Sequence, residues 1–176
     1  MKYLLLAAYL ATIPAANWLI GHTGTECLPG GPCLVPVGFG LMAPSGVLMI
    51  GLALVLRDAV QERLGLAWSL AAIAAGVMLS ALVAPPALVV ASAVAFGLSE
   101  LFDLSAYTPL RNRGHIIAAV LASGVVGAVV DSAAFLFIAF GSLDYLSGQV
   151  VGKLWMTLFA AAALYVRAIT FERAQP

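Results

Sequence analysis

Charged residues are scarce in this chain, because Asp, Glu, Lys and Arg together make up 9% of its 176 residues. A soluble domain carries about a quarter charged residues, which cover its surface, so the composition excludes an ordinary soluble protein. The formal net charge is zero, and this balance gives no basis for a nucleic-acid partner. Apolar residues make up 63% of the chain, which indicates a protein whose surface faces the lipid bilayer.

Sequence motifs of enzymes are also missing. The chain has no Gly-x-Ser-x-Gly elbow, no His-Glu-x-x-His pair and no Walker A loop. His22 and His115 fall at the boundaries of different apolar segments, on opposite sides of the predicted membrane, and cannot form one site. We therefore predict that the protein is not an enzyme and uses no cofactor and no metal.

Apolar segments near the ~20 residues that a helix needs to cross a bilayer recur along the chain. They cover 2–20, 34–56, 66–84, 86–104, 115–140 and 149–170. Pro85-Pro86 divides one long apolar stretch into two, since proline lacks an amide donor and clashes with the preceding turn. Strands of a membrane barrel would alternate in polarity, and these segments do not. The predicted fold is all-α, with one domain over 1–176 and six transmembrane helices in a single bundle.

The basic residues predict the orientation of this bundle. With six spans, seven of the eight basic residues fall on one side of the membrane: Lys2, Arg57, Arg63, Arg111, Arg113, Arg167 and Arg173. Only Lys153 falls toward the other side. Since cytoplasmic loops carry the excess of Lys and Arg, both termini are expected in the cytoplasm.

The two cysteines, Cys27 and Cys33, lie in the Gly- and Pro-rich loop between the first two segments. On the outer side of the membrane a disulfide between them would persist, and the alternative is two free thiols. A metal site that also uses His22 has too few ligands in view.

Two groups of charged residues lie inside the predicted spans, where a charge costs about 2.5–3.5 kcal/mol on insertion scales. Asp131, followed by Ser132, lies at a depth that Lys153 of the next span can reach, so an Asp131–Lys153 pair is expected. It either locks two helices or releases one partner to a ligand or proton. Glu100 and Asp103 share one helix face because they are three residues apart.

A third charged group ends the second span. There Asp58 and Glu62 share a face, and Arg57 precedes them. Arg57 and Arg111, at the same depth as Glu100 and Asp103, could neutralise that pair, so the alternative to a ligand site is a salt-bridge network at the cytoplasmic rim.

Amides and aromatic side chains near the span ends could complete a ligand site. Asn17 and Gln149 each offer a donor and an acceptor. The aromatic residues that could stack on a flat ligand are Trp18, Phe96, Phe135, Phe137 and Trp155. Trp and Tyr at span ends also serve as anchors at the membrane interface, which is the alternative interpretation.

The order of these landmarks resembles the VUT family of bacterial queuosine precursor transporters. The matching segments are Asn17-Trp18-Leu19, Asp58 through Gly65, Ser99-Glu100-Leu101-Phe102-Asp103, Leu110-Arg111, Val130-Asp131-Ser132 with Phe135, Ile138-Ala139-Phe140, and Lys153. The resemblance implies uptake of 7-cyano- or 7-aminomethyl-7-deazaguanine, precursors for tRNA modification, across the cytoplasmic (inner) membrane. The residues then expected to bind this guanine-like base are Asn17, Asp58, Glu100, Asp103, Asp131 and Lys153.

Two other classes of protein stay open at this point. Substrate-binding subunits of energy-coupling-factor transporters are similar six-span proteins that bind vitamins or modified bases, and they need an ATPase complex to transport. A small structural membrane protein is disfavoured by the acidic residues within the spans. The sequence leaves open a homo-oligomer and the coupling ion.

The charge asymmetry makes one prediction that needs no further structural information. A reporter fused after Pro176 should behave as cytoplasmic, because positive loops stay on that side of the membrane. Paired alkaline phosphatase and fluorescent-protein fusions measure this directly. An active phosphatase at Pro176 would contradict the six-span topology.

Overall fold

The computed structural model describes residues 2–29, 31–84 and 86–173, so the predictions for Pro85 and Pro176 fall outside the described residues. Its elements in chain order are α1 (Lys2–His22), β1 (Glu26–Cys27), β2 (Cys33–Gly38), β3 (Leu41–Pro44), α2 (Val47–Leu64), α3 (Leu66–Val83), α4 (Val89–Asn112), α5 (Ile116–Phe140) and α6 (Leu146–Arg173). A single 3₁₀ turn, Pro86–Leu88, precedes α4. The predicted helical class is confirmed.

Among the described residues, five helices are long and apolar enough to cross a membrane, namely α1, α3, α4, α5 and α6. The remaining helix, α2, carries Arg57, Asp58, Glu62 and Arg63 within its 18 residues. Its Arg57, Asp58 and Gln61 are buried, so the polar face of α2 turns into the bundle rather than toward lipid. The chain is a multi-pass membrane protein.

The predicted start of the second span is wrong. Two strands joined by a turn occupy residues 34–44, and α2 begins at Val47 rather than at residue 34. Pro36 and Gly38 oppose a helix there, and the mixture of buried Leu34 and Val37 with exposed Pro36 is typical of a half-buried strand. The segment is apolar because it packs against the bundle, and the apolar count alone did not reveal that.

The three strands form a small antiparallel sheet in the order β1-β2-β3. Cys27 lies directly opposite Cys33, and the two form a disulfide. The sheet is attached to the bundle by a hydrogen bond from Trp155 Nε1 of α6 to the carbonyl oxygen of Val37 (2.8 Å). Just after β3, Ser45 Oγ donates to the carbonyl oxygen of Leu19 in α1 (2.7 Å). The sheet therefore covers one end of the helices.

Helices α2 and α6 approach closely at Gly51. A Cβ placed on Gly51 would lie 2.8 Å from the backbone oxygen of Lys153 and 2.9 Å from its Cα. Small residues permit such backbone contact between membrane helices. Gly51 therefore sets the distance at which Lys153 enters the bundle.

We expect Gly51→Ala to destabilise the protein by about 1–3 kcal/mol, because the new methyl group meets backbone that cannot move aside. Gly21→Ala in α1 is the matched control, since a Cβ there has nothing within 4 Å. Thermal unfolding in detergent compares the two variants. Equal melting temperatures for Gly51→Ala and wild type would show that the helices can separate at this point.

Candidate functional site

Arg57 of α2 lies at the centre of a buried group of carboxylates, here called the Arg57 cluster (Arg57, Asp58, Glu100 and Asp103). Its Nη1 lies 2.9 Å from Asp58 Oδ1 and its Nε lies 3.2 Å from Glu100 Oε2. Its Nη2 forms an ion pair with Asp103 Oδ1. Arg57, Glu100 and Asp103 are fully buried and Asp58 is 4% exposed. One guanidinium thus joins α2 to two acids of α4.

Polar and aromatic side chains from neighbouring helices surround this cluster. Tyr9 of α1 donates to Glu100 Oε1 (3.3 Å), and Ser123 of α5 donates to Asp58 Oδ2 (3.2 Å). Gln61 Oε1 accepts from Arg57 Nη1 (3.3 Å). The ring of Tyr107 lies 5.6 Å from the guanidinium carbon of Arg57, which is within the range of a cation–π contact. Four helices therefore converge here.

The second buried group is the Lys153 cluster (Lys153, Asp131, Ser132 and Gln149). Lys153 Nζ donates to Asp131 Oδ2 (2.6 Å), Ser132 Oγ (2.6 Å) and Gln149 Oε1 (3.0 Å). An ammonium group has three donors, so these partners satisfy all of them. Asp131 Oδ1 receives one long hydrogen bond, from Ser99 Oγ at 3.4 Å. Lys153 fixes the carboxylate of Asp131, and Oδ1 keeps the capacity to accept from a ligand.

Two cavities reach these clusters from different ends of the bundle. The sheet-side cavity, bounded by Pro44 and Gly46, offers about 70 Å³ to water centres. Its polar and aromatic lining is Asn17, Ser80, Ser92, Phe96, Asp131, Phe135, Gln149 and Lys153. The opposite cavity offers about 740 Å³, and its polar lining is Asp58, Glu62, Arg63 and Tyr107. A water needs about 10–15 Å³ by this measure, so both cavities can be wet.

A family model with the description "Putative vitamin uptake transporter" matches residues 80–168, which is just over half of the chain. The chain belongs to this vitamin uptake transporter family. No curated protein and no solved structure matches it. The matched range contains Glu100, Asp103, Asp131 and Lys153, so members of both clusters lie in the matched part of the chain. Membership confirms the resemblance to the VUT family and implies a small-molecule substrate.

The structure separates the six residues predicted to bind substrate in this transporter. Asn17, Asp131 and Lys153 line the sheet-side cavity, and Asp58 lines the opposite cavity. Glu100 and Asp103 are in the lining of neither cavity and pair with Arg57 instead. The expected Asp131–Lys153 contact is present. A ligand in the sheet-side cavity therefore contacts different predicted residues from a ligand in the opposite cavity.

The arginines and aromatic residues predicted to contribute to the site also lie in different parts of the structure. Arg57 pairs with both α4 acids. The expectation that Arg111 also pairs with them is wrong, because Arg111 pairs with Glu62 at the surface (Nε–Oε2 2.9 Å). Among the aromatic candidates, Phe96 and Phe135 line the sheet-side cavity. Trp155 binds the sheet, Trp18 stacks on His22, and Phe137 is exposed.

The contacts of five further side chains were not predicted from the sequence, namely those of Tyr9, Gln61, Ser99, Tyr107 and Ser123. A signal existed for two of them. Gln61 lies four residues after Arg57, and Tyr107 lies four after Asp103 and seven after Glu100. Such spacing places them on the same helix faces as the acids and the arginine.

We expect Arg57→Met to destabilise the protein by about 3–5 kcal/mol, because it leaves buried carboxylates without their cation. Arg111→Met is the matched control, since it breaks a partly exposed pair worth about 1 kcal/mol or less. Thermal unfolding and the monodisperse yield in detergent measure both variants. If the two lose equal stability, the Arg57 ion pairs do not hold the bundle together.

Proposed function

We propose that this transporter takes up a 7-deazaguanine precursor of queuosine across the cytoplasmic (inner) membrane, with both termini in the cytoplasm. The sheet-side cavity is the binding site on the outer side. The main observation in support is the position of Asp131. Its buried carboxylate pairs with Lys153 (Nζ–Oδ2 2.6 Å) and lines the same cavity as Phe96 and Phe135. The resemblance to the queuosine precursor transporters supplies the class of substrate.

The chemistry of a guanine-like base matches this lining. Its ring N–H and exocyclic amine are adjacent donors, and a carboxylate can accept from such a pair through its oxygens. Gln149 uses its Oε1 for Lys153, which leaves the amide NH₂ to donate to the carbonyl edge of the base. Asn17 donates to the carbonyl oxygen of Ile13 and keeps its side-chain oxygen as an acceptor. The site can therefore satisfy several edges of one flat ligand.

The aromatic residues supply the faces of the site. Phe96 comes from α4 and Phe135 from α5, and aromatic rings stack on the π-face of a base. The Lys153–Asp131 pair has no formal net charge. An uncharged heterocycle can therefore enter without bringing an unpaired charge into the membrane.

Glu100, Asp103 and Asp58, the other residues predicted to bind the base, support uptake without contacting a base in the sheet-side cavity. Glu100 and Asp103 hold Arg57, and Glu100 follows Ser99, which donates to Asp131. Asp58 borders the opposite cavity, which we assign to release of the substrate toward the cytoplasm.

The test is restoration of queuosine in tRNA, measured by mass spectrometry. The host strain can neither make nor import the precursors, and it lacks the energy-coupling ATPase complex. Its growth medium contains 7-cyano-7-deazaguanine. Wild type should restore queuosine and Asp131→Asn should not at low precursor concentrations. A buried hydrogen bond to a charged group contributes about 1.5–3 kcal/mol, so the affinity should fall about tenfold or more.

Asp144→Asn is the matched control, because Asp144 is exposed in the loop after α5. It should restore queuosine like wild type, and all three proteins should reach the membrane in equal amounts. If Asp131→Asn transports as well as Asp144→Asn, the base binds elsewhere. If wild type needs the ATPase complex added back, the chain is instead a substrate-binding subunit of an energy-coupling-factor transporter.

A further inference from the structure

The Arg57 cluster is not balanced in charge. It contains one guanidinium and the carboxylates of Asp58, Glu100 and Asp103, all 0–4% exposed. If every carboxyl group were ionised, the cluster would carry a formal charge of minus two. Buried carboxylates without a cation are strongly disfavoured and take up protons instead.

No second cation compensates this charge within the described part of the chain. From α1 the cluster meets Tyr9, from α4 also Tyr107, and from α5 the hydroxyl of Ser123. Helix α3 has no charged residue. On α6, Lys153 is committed to Asp131. At the rim of the opposite cavity, Glu62 pairs with Arg111, and Arg63 is exposed.

A second, independent observation indicates which oxygen of the cluster would bind a proton. Asp103 is fully buried, and Ser123 is its polar neighbour on α5. The one hydroxyl proton of Ser123 goes to Asp58 Oδ2, so Asp103 Oδ2 receives no hydrogen bond among the described residues. This oxygen faces α5, where a Cβ on Gly127 would lie 3.0 Å from it. Its partner oxygen Oδ1 already pairs with Arg57. The guanidinium repels a metal cation at this point, whereas a proton bound covalently to Oδ2 neutralises the carboxylate.

The cluster lies between the two cavities. Ser99, the residue before Glu100, donates to Asp131 in the sheet-side cavity. Asp58, which contacts Arg57, lines the opposite cavity. The cluster therefore borders the opposite cavity through Asp58 and is connected to the sheet-side cavity through Ser99.

We propose that the Arg57 cluster is the proton-binding site that couples substrate uptake to the transmembrane proton gradient, with Asp103 as the proton carrier. A hydronium ion from the sheet side forms the O–H bond on the Asp103 carboxylate. That bond breaks toward water in the opposite cavity, past Asp58, so one proton crosses and nothing is oxidised or reduced. This inference rests on the proposed function for the identity of the substrate.

Proteoliposomes that contain the full chain and labelled 7-cyano-7-deazaguanine test the coupling. With the sheet side one pH unit more acidic, one proton per substrate sustains a concentration ratio of up to about tenfold. Wild type and Asp144→Asn should accumulate the base. Asp103→Asn should still exchange labelled for unlabelled base at equal pH, but its ratio should stay at about one. Glu100→Gln serves where Asp103→Asn does not fold.

Infrared difference spectra of the purified protein between acid and alkaline pH give a readout that needs no substrate. The carbonyl band of a protonated carboxylic acid should change in wild type and be lost in Asp103→Asn. Exchange without accumulation in wild type, or accumulation driven by a sodium gradient, would overturn the coupling. If wild type does not exchange the base at all, the proposed function fails. The infrared band then decides whether the cluster binds a proton.

Discussion

The ion pairs of Arg57 are the constraint on which the arrangement of the bundle depends. A guanidinium stays charged in proteins, so a helix that carries it into a membrane must bring anions to it. Helix α4 supplies Glu100 and Asp103 on one face, and α2 itself supplies Asp58. These contacts turn the polar face of α2 inward and explain how a helix with four charges in 18 residues fits among five apolar ones. Gly127 allows α5 to approach Asp103 closely enough to close this centre.

The apolar segments were sufficient to predict α1, α3, α4, α5 and α6, because a membrane allows few alternatives to a helix. They were insufficient at residues 34–44, where the apolar side chains belong to strands that pack on α1 and α6. A count of apolar residues does not distinguish a lipid-facing helix from a half-buried strand. Pro36 and Gly38, which disfavour a helix, were the sequence signals that could have separated them.

The contacts of the buried charged residues were predictable because isolated charges are costly in lipid. That cost pairs Lys153 with Asp131 and brings Arg57 to the α4 acids. The accessibility of Glu100 and Asp103 was not predictable, since it depends on which face of α4 meets α2. Tyr9 could not have been found from spacing, because it reaches Glu100 across 91 residues of sequence.

The two clusters are mechanically linked through α4. Ser99 and Glu100 are adjacent, so their side chains leave the helix about 100° apart. Ser99 contacts Asp131 of α5, and Glu100 contacts Arg57 of α2. A rotation of α4 that changes one contact must change the other, because both residues belong to one rigid helix. A ligand that draws on Asp131 and a proton that weakens the hold of Arg57 would therefore act on the same element, which is the physical requirement for coupling between two sites.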